Sequence, residues 1–330
     1  MTNYRINLQL FADNGPNIAS FTVTKPDGMA SVSWKTFYDT TLLENSKENN
    51  VFDQFGMQQP IKGGKVEWRK FNTFAKAMHP LTEGVIPTGQ IFGTTNIEAE
   101  VNQYGDYTTL TDRVQAEMYD DFIFGASEEM GVAMGATKDT LTRNVLVAGN
   151  CVQYCPDGET EVKSRASITK NCILTPAEVH KASTWLKKNK APKINGSYVA
   201  LIHPSVAHDL TATKEWRENH INTNPTPVFK GEIGELYGVR FVETNNAKIW
   251  KDGSTAVYAT LFLGHNAYGV ITPDGEGTEM IIKTKEEIGG PLNQFGTIGY
   301  KFCHGTKILY QERLLRVESG SSFGDVDEAN

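Results

Sequence analysis

The sequence predicts an α+β fold, and three observations carry that expectation. Val66-Glu67-Trp68-Arg69-Lys70-Phe71 alternates like a strand just after a Gly63-Gly64 turn. Met118, Phe122, Ala126, Met130, Met134, Leu141, Val145 and Ala148 recur at helical spacing. Residues 172–284 mix apolar strand runs with capped helices, which marks a separate packing centre.

Residues 1 to about 33 are polar and weakly patterned, and Pro16 and Pro26 bar a long helix there. They read equally well as a loose tail or as an arm that orders on a neighbour. Phe37 to Phe55 reads as a helix. The hairpin segment follows, and Pro80, Gly84, Pro87 and Gly89 punctuate its return. From Gly56 to Gln90 it carries Lys62, Lys65, Arg69, Lys70 and Lys76 against Glu67 and Glu83, a basic ribbon in a chain of net charge -7. An isolated two-stranded ribbon is marginal in water, so it needs a surface to lie on.

Ile97 to Thr111 reads as one long strand with a bulge at Gly105. The helical stripe spans Glu117 to Ala148, about 48 Å if unbroken. Gly125, Gly131 and Gly135 weaken it, and Gly149 fits its C-terminal cap. A polar loop over 151–171 leads to Thr175-Pro176-Ala177-Glu178, which has the form of a capping box with proline at the first helical position. That helix should end near Asn189. Tyr198-Val199-Ala200-Leu201-Ile202 reads as a buried strand, Ser205 to Trp216 as a short helix, and Val239–Val242, Val257–Leu263 and Ala267–Ile271 as further strands. Two strand-like runs fall between Thr297 and Val317, and the acidic, Gly/Ser-rich tail 319–330 reads as flexible.

The function classes that composition excludes are as telling. With 39% hydrophobic residues the chain buries a core, and its acidic balance argues against a dedicated nucleic-acid binder. No stretch approaches the roughly 18 apolar residues of a membrane span, and the N-terminus lacks the apolar core of a secretion signal, so folding in a cytoplasm and no membrane partner are expected. Gly63-Gly64-Lys65 precedes Val66 where a phosphate loop needs Ser or Thr, and Gly275-Glu276-Gly277 leads into Met280, so neither holds a nucleotide. Cys151, Cys155 and Cys172 offer three thiolates to zinc if His180 or Cys303 completes the set, but free thiols in a reduced compartment are the simpler reading. His203, Ser205 and Asp209 lie close together, yet triads are assembled from distant segments, and helix-start roles fit better. Asn195-Gly196-Ser197 reads as a turn. No catalytic residue, cofactor or metal is expected.

Several segments, in order, resemble the major capsid proteins of tailed bacteriophages: Lys65–Phe71, Pro80-Leu-Thr-Glu-Gly84, Gln103-Tyr-Gly-Asp-Tyr107, Tyr198–Pro204, Gly231-Glu-Ile-Gly234, Gly238–Thr244, Val257–Leu261 and Pro291-Leu-Asn-Gln294. The resemblance is to the group that includes the coat protein of the podovirus N-four, and it spans roughly residues 36–319. It implies the Hong Kong-type capsid fold: an N-terminal arm (1–35), a helix and extended loop (36–95), a peripheral domain with the spine helix (96–171 and 285–318), an axial α/β domain (172–284) and a flexible tail (319–330). It implies a self-assembling icosahedral shell in the virion, built as hexamers and pentamers in the host bacterial cytoplasm. A separate scaffolding protein, a portal protein, decoration proteins and non-specifically contacted packaged DNA are the implied partners. A minor vertex protein or an encapsulin-like compartment shell of the same fold is the alternative, and a hydrolase using His203, Ser205 and Asp209 is a third reading from another class.

In the resembling fold the extended loop lies over the spine region of the adjacent subunit. That places Lys62, Lys65, Arg69 and Lys70, with Trp68, Phe71 and Phe74 as apolar anchors, against the acidic run of Glu117, Asp120, Asp121, Glu128, Glu129 and Asp139, in which only Lys138 and Arg143 are basic.

Overall fold

A computed structural model describes Leu42 and residues 50–330 except 62–64, 72–73, 77, 79, 81–82, 85, 87–88, 114–121, 224–230, 253–254, 274–277, 289–291 and 324–326. The arm and most of the helix expected from Phe37 lie outside the described residues.

The strands and helices follow the chain as β1 (Met57–Ile61), β2 (Lys65–Phe71), β3 (Thr94–Glu100), β4 (Asn102–Thr111) and α1 (Phe122–Val147). Then come β5 (Val152–Tyr154), α2 (Pro176–Lys188), β6 (Tyr198–Ile202), α3 (Pro204–Ala212) and α4 (Lys214–Thr223). The rest are β7 (Glu232–Leu236), β8 (Val239–Glu243), β9 (Ile249–Asp252), β10 (Thr255–Leu263), β11 (Tyr268–Pro273), β12 (Thr278–Lys283), β13 (Phe295–Ile308) and β14 (Leu314–Ser319).

The chain divides into two compact units: residues 1–51, 103–140 and 275–304, and residues 52–102, 141–274 and 305–330. Both α1 and β13 begin in the first unit and end in the second. The α1 helix runs unbroken through Gly125, Gly131 and Gly135, and 26 residues give it a length of about 39 Å.

In the first unit β12 pairs antiparallel with β13, Thr278↔Phe302 through Lys283↔Thr297, and β4 also pairs with β13. Phe302 is buried there and stacks on Tyr104 and Tyr300. Gly105 lies within β4, where a Cβ on it would come within 2.5 Å of the Tyr300 carbonyl oxygen. Its glycine is explained by close approach of backbone to backbone.

The second unit is organised on a seven-stranded sheet in the order β5-β14-β10-β6-β8-β7, with β9 also paired to β10. Every residue of β6 is buried, as is every residue of β10 after Thr255, so both strands read as continuous apolar runs. Leu174, Val179, Ala182 and Leu186 of the α2 region close one side of that core. Proline stands at the start of α2 as expected, but the Thr175 side chain makes no capping bond. Glu178 is buried and its carboxylate accepts from Gln153 and Lys181 instead, so tertiary partners replace the local box. The single helix expected from Ser205 to Trp216 is two, broken at Thr213, whose ψ of 148° is extended.

The main departure from the sequence reading concerns β14. Placed by the sequence with the peripheral strands, it lies between β5 and β10 and is the second strand of the axial sheet. The axial sheet thus draws β5 and β14 from outside 172–284. Described residues of the tail bond the body of the second unit. Ser321 donates to the Ser205 carbonyl, Ser322 donates to Asp209, Asp327 accepts from Ser205 and Tyr258, and Asn330 bonds the backbone of Ala247 and Ile249.

Glu318 on β14 is fully buried, and its carboxylate accepts from Arg165 at 2.7 and 2.6 Å and from Arg316 at 2.8 Å. Removing one member of such a group strands the others' charge in low dielectric. Glu318→Ala is expected to cost about 3 kcal/mol, read as a lowered thermal transition of the full chain. Arg165→Ala should cost less, because a third of the Arg165 side chain is exposed and water replaces part of the lost partner.

Candidate functional site: the hairpin and its exposed aromatic cluster

The β2–β3 hairpin is antiparallel, Lys65↔Glu100 through Phe71↔Thr94. Along β2 burial alternates: Val66 and Trp68 are inside, Lys65, Glu67, Arg69 and Phe71 outside. Val66, Trp68 and Ala99 form a small core with Ile271 and Leu309 of the same chain. Gly269 makes room for the indole, since a Cβ there would meet Trp68 at 2.6 Å. Trp68, expected to anchor a neighbour, is therefore the hairpin's own root, because the strand's period of two places it on the face that meets β11.

The charges sort in the same way. Lys65 pairs with Glu100 directly across the ladder at 2.9 Å. Lys70 pairs with Glu312 at 3.5 Å and lies over the Tyr310 ring. Arg69 is exposed and makes no ion pair among the described residues. Lys62 lies outside the described residues, as do Glu117, Asp120 and Asp121. On α1, Glu128 and Glu129 are exposed, whereas Asp139 is buried and accepts from the Val51 backbone N–H at 2.7 Å. Arg143 is buried too, donating to Asn246. The acidic face of the helix is narrower than a count of its charges implies.

Past the root the hairpin turns apolar and exposed. Phe71 and Phe74 both stack on Phe92, centroids 5.2 and 5.3 Å apart, yet the three residues remain 59%, 55% and 54% exposed. Met78, Ile86 and Ile91 are exposed in the same segment. The Gln90 side chain bonds both the N–H and the C=O of Ala75, holding the two sides of the segment together. Scattered exposed apolar residues are ordinary, but a stacked cluster on a rooted hairpin has the character of a contact surface. Phe92, Ile86 and Ile91 were missed in the sequence because they fall among Gly and Pro, where no periodicity identifies them.

The chemistry sought elsewhere is arranged otherwise. Ser205 Oγ donates to Asp327 and not to His203, whose Nδ1 accepts from the Ser205 backbone N–H as a helix cap. Asp209 accepts from Ser322, so the nucleophile–base–orienter chain of a triad is not formed by these three residues. Cys155 and Cys172 are buried in the core of the second unit, Cys303 belongs to the first, and no metal-binding group of three or more ligands occurs among the described residues. No described helix is long and apolar enough to cross a membrane.

Residues 175–272, most of the α/β lobe, match the family model described as phage capsid protein. The fold is similar to that of the capsid of Ralstonia phage GP4, with a TM-score of 0.63 at 14% identity over 83% of this chain and 89% of that one. The α/β lobe thus matches a phage capsid family, and the fold of the chain is that of phage capsids. Its architecture is the Hong Kong-type capsid fold. The cyanophage P-SCSP1u capsid is similar at TM-score 0.62, 14% identity and coverage of 83% and 89%. The capsid fold is also that of a virus-like particle from Pyrococcus furiosus, at TM-score 0.50, 9% identity and coverage of 87% and 100%. No curated protein matches the chain in sequence.

Two measurements test the local chemistry. Gly269→Ala should displace the Trp68 indole and loosen the hairpin root, read as increased solvent quenching of tryptophan fluorescence with the lobe still folded. Burial holds His203 below the usual histidine range, opposed by the Asp327 charge. Its unfolded value is about 6.5, so as pH falls through that value the unfolded chain takes up a proton that the folded chain resists. Stability then falls from pH 7 towards pH 5, and His203→Gln should flatten that part of the profile.

Proposed function

We propose that this chain is the major shell subunit of a tailed phage, a virion component without catalytic activity. Copies associate as hexamers and pentamers into an icosahedral head that encloses double-stranded DNA. A separate scaffolding protein and a portal protein act during assembly in the host cytoplasm, and decoration proteins are the further partners this reading admits. The observation that carries the proposal is the hairpin, rooted in its own chain through Trp68 while it presents Phe71, Phe74 and Phe92 to solvent.

Its contact is with a second copy. The three rings supply apolar area, and Arg69, with Lys62, faces the acidic side of a neighbouring spine helix at Glu128 and Glu129 and the run of Glu117, Asp120 and Asp121. Lys65 and Lys70 already have carboxylate partners in their own chain, so they shape the hairpin more than they hold the neighbour. Covering the remaining exposed half of each ring contributes roughly 1 kcal/mol, and an exposed ion pair about 0–1 kcal/mol. One such contact is weak, whereas a closed shell repeats it in every subunit.

A minor vertex protein or compartment shell is the second reading, favoured by the fold shared with the Pyrococcus furiosus particle. The phage capsid family match over 175–272 weighs against it.

The triple variant Phe71→Ser, Phe74→Ser, Phe92→Ser should keep the thermal transition of the subunit within about 1 kcal/mol of wild type, because these are surface positions. By negative-stain microscopy it should form few or no shells. Arg69→Glu should weaken shells most at low salt, where charges are least screened. Wild-type shell yield from the triple variant would place the contact elsewhere.

A further inference from the structure

Seven consecutive positions at the end of α2, Lys187-Lys188-Asn189-Lys190-Ala191-Pro192-Lys193, carry four lysines and no acid in a chain of net charge -7. All four lysines are exposed, and none has an ion-pair partner among the described residues; Lys193 lies 5.9 Å from the Tyr198 ring. Lys187 and Lys188, in the last helical turn, complement the negative end of the helix. Lys190 and Lys193 lie beyond it, so the helix does not account for them.

Lys190 is the informative residue. The helix ends in a Schellman motif, with Ala191 N–H donating to the Leu186 carbonyl and Lys190 N–H to the Lys187 carbonyl. This puts Lys190 in the left-handed region at φ 55°, where glycine is the favoured residue. A lysine held there points to a use for its charge. The loop is rigid as well. Asn195 and Gly196 turn at φ 48° and 92° between the doubly bonded Ile194 and Ser197, Ala191 and Ile194 are buried, and His265 N–H bonds the Pro192 carbonyl. The four ammonium groups are thus carried on a preorganised platform.

We infer that this platform is a phosphate-contact site for the packaged double-stranded DNA, which makes it part of the inner face of the shell. The inference rests on the shell reading above. Lysine supplies point charges suited to phosphate oxygens without reading bases. Protein–protein interfaces are depleted in lysine and enriched in aromatic anchors, and the exposed members of this run are polar apart from Pro192. With only four contacts on an otherwise acidic subunit, the DNA is held weakly and remains free to slide during filling.

The test measures binding of the full-length chain to a 30-base-pair duplex by fluorescence anisotropy between 50 and 200 mM KCl. The quadruple variant Lys187→Gln, Lys188→Gln, Lys190→Gln, Lys193→Gln should have a log–log salt slope shallower than wild type by about 3 to 4. Lys190→Gly, which places the favoured residue at the left-handed position, should melt no lower than wild type and lose about one unit of slope. Equal slopes for wild type and both variants overturn the inference. So does a quadruple variant that binds DNA as wild type but no longer forms shells, because the platform would then contact an acidic surface on a neighbouring subunit. Failure of the wild-type chain to form shells under any condition would instead count against the shell reading, whatever the slopes.

Discussion

The second unit depends on one buried carboxylate. Glu318 lies on β14, between β5 and β10, with no exposed surface. Arg165 reaches it from the 155–172 loop with two hydrogen bonds while its guanidinium lies 3.6 Å from the centre of the Trp250 ring. Arg316 reaches it along the strand and also donates to the carbonyls of Val147 and Gly149, where the spine helix ends. One charge therefore ties the loop, the axial sheet, β9 through Trp250 and the end of the spine into one polar knot. Burying a carboxylate is costly unless its oxygens are paired and hydrogen-bonded. Here two arginines meet it with three hydrogen bonds, and Trp250 lies against both guanidinium groups. The arrangement specifies where the loop and the helix end must lie as much as it stabilises them.

This knot explains what the sequence shows and what it hides. The strand β6 was legible because five apolar residues in succession are buried on both faces, which composition alone reveals. The spine helix was legible from its period and length. The place of β14 was not, because its partners β5 and β10 lie more than 150 and about 50 residues away in sequence, and pairing across such distances leaves no local trace. The bonds made by the described tail residues leave no trace in composition for a related reason. Ser and Gly signal disorder only when nothing binds them, and here Asp209, Ser205 and the backbone of β9 do.

The hairpin shows how far pattern reasoning reaches at a surface. Alternation along β2 correctly separates two faces, but it does not say which face meets the chain's own body. Trp68, the largest residue of the strand, is the natural first choice for an anchor, and it is committed inward because Gly269 leaves room for it. Lys65 and Lys70 likewise have in-chain partners that no count of net charge reveals. Composition gave the sign of the ribbon, and three-dimensional pairing decided which of its charges remain available.

The groups left available then fall into two chemically different sets. On the hairpin they are stacked phenyl rings with an arginine, a mixture suited to another protein surface, where apolar area supplies affinity and charge supplies orientation. At the end of α2 they are lysines alone, on a loop stiffened by a Schellman motif and a tight turn, a set suited to a polymer of uniform negative charge. A shell subunit must hold its neighbours while letting its cargo move. Apolar contacts repeated around a closed lattice persist at physiological salt, whereas a few lysine–phosphate contacts are weakened by it, since ions compete for both partners. In the proposed shell, dividing the two tasks between a screened and an unscreened interaction lets one chain perform both without either contact being strong by itself.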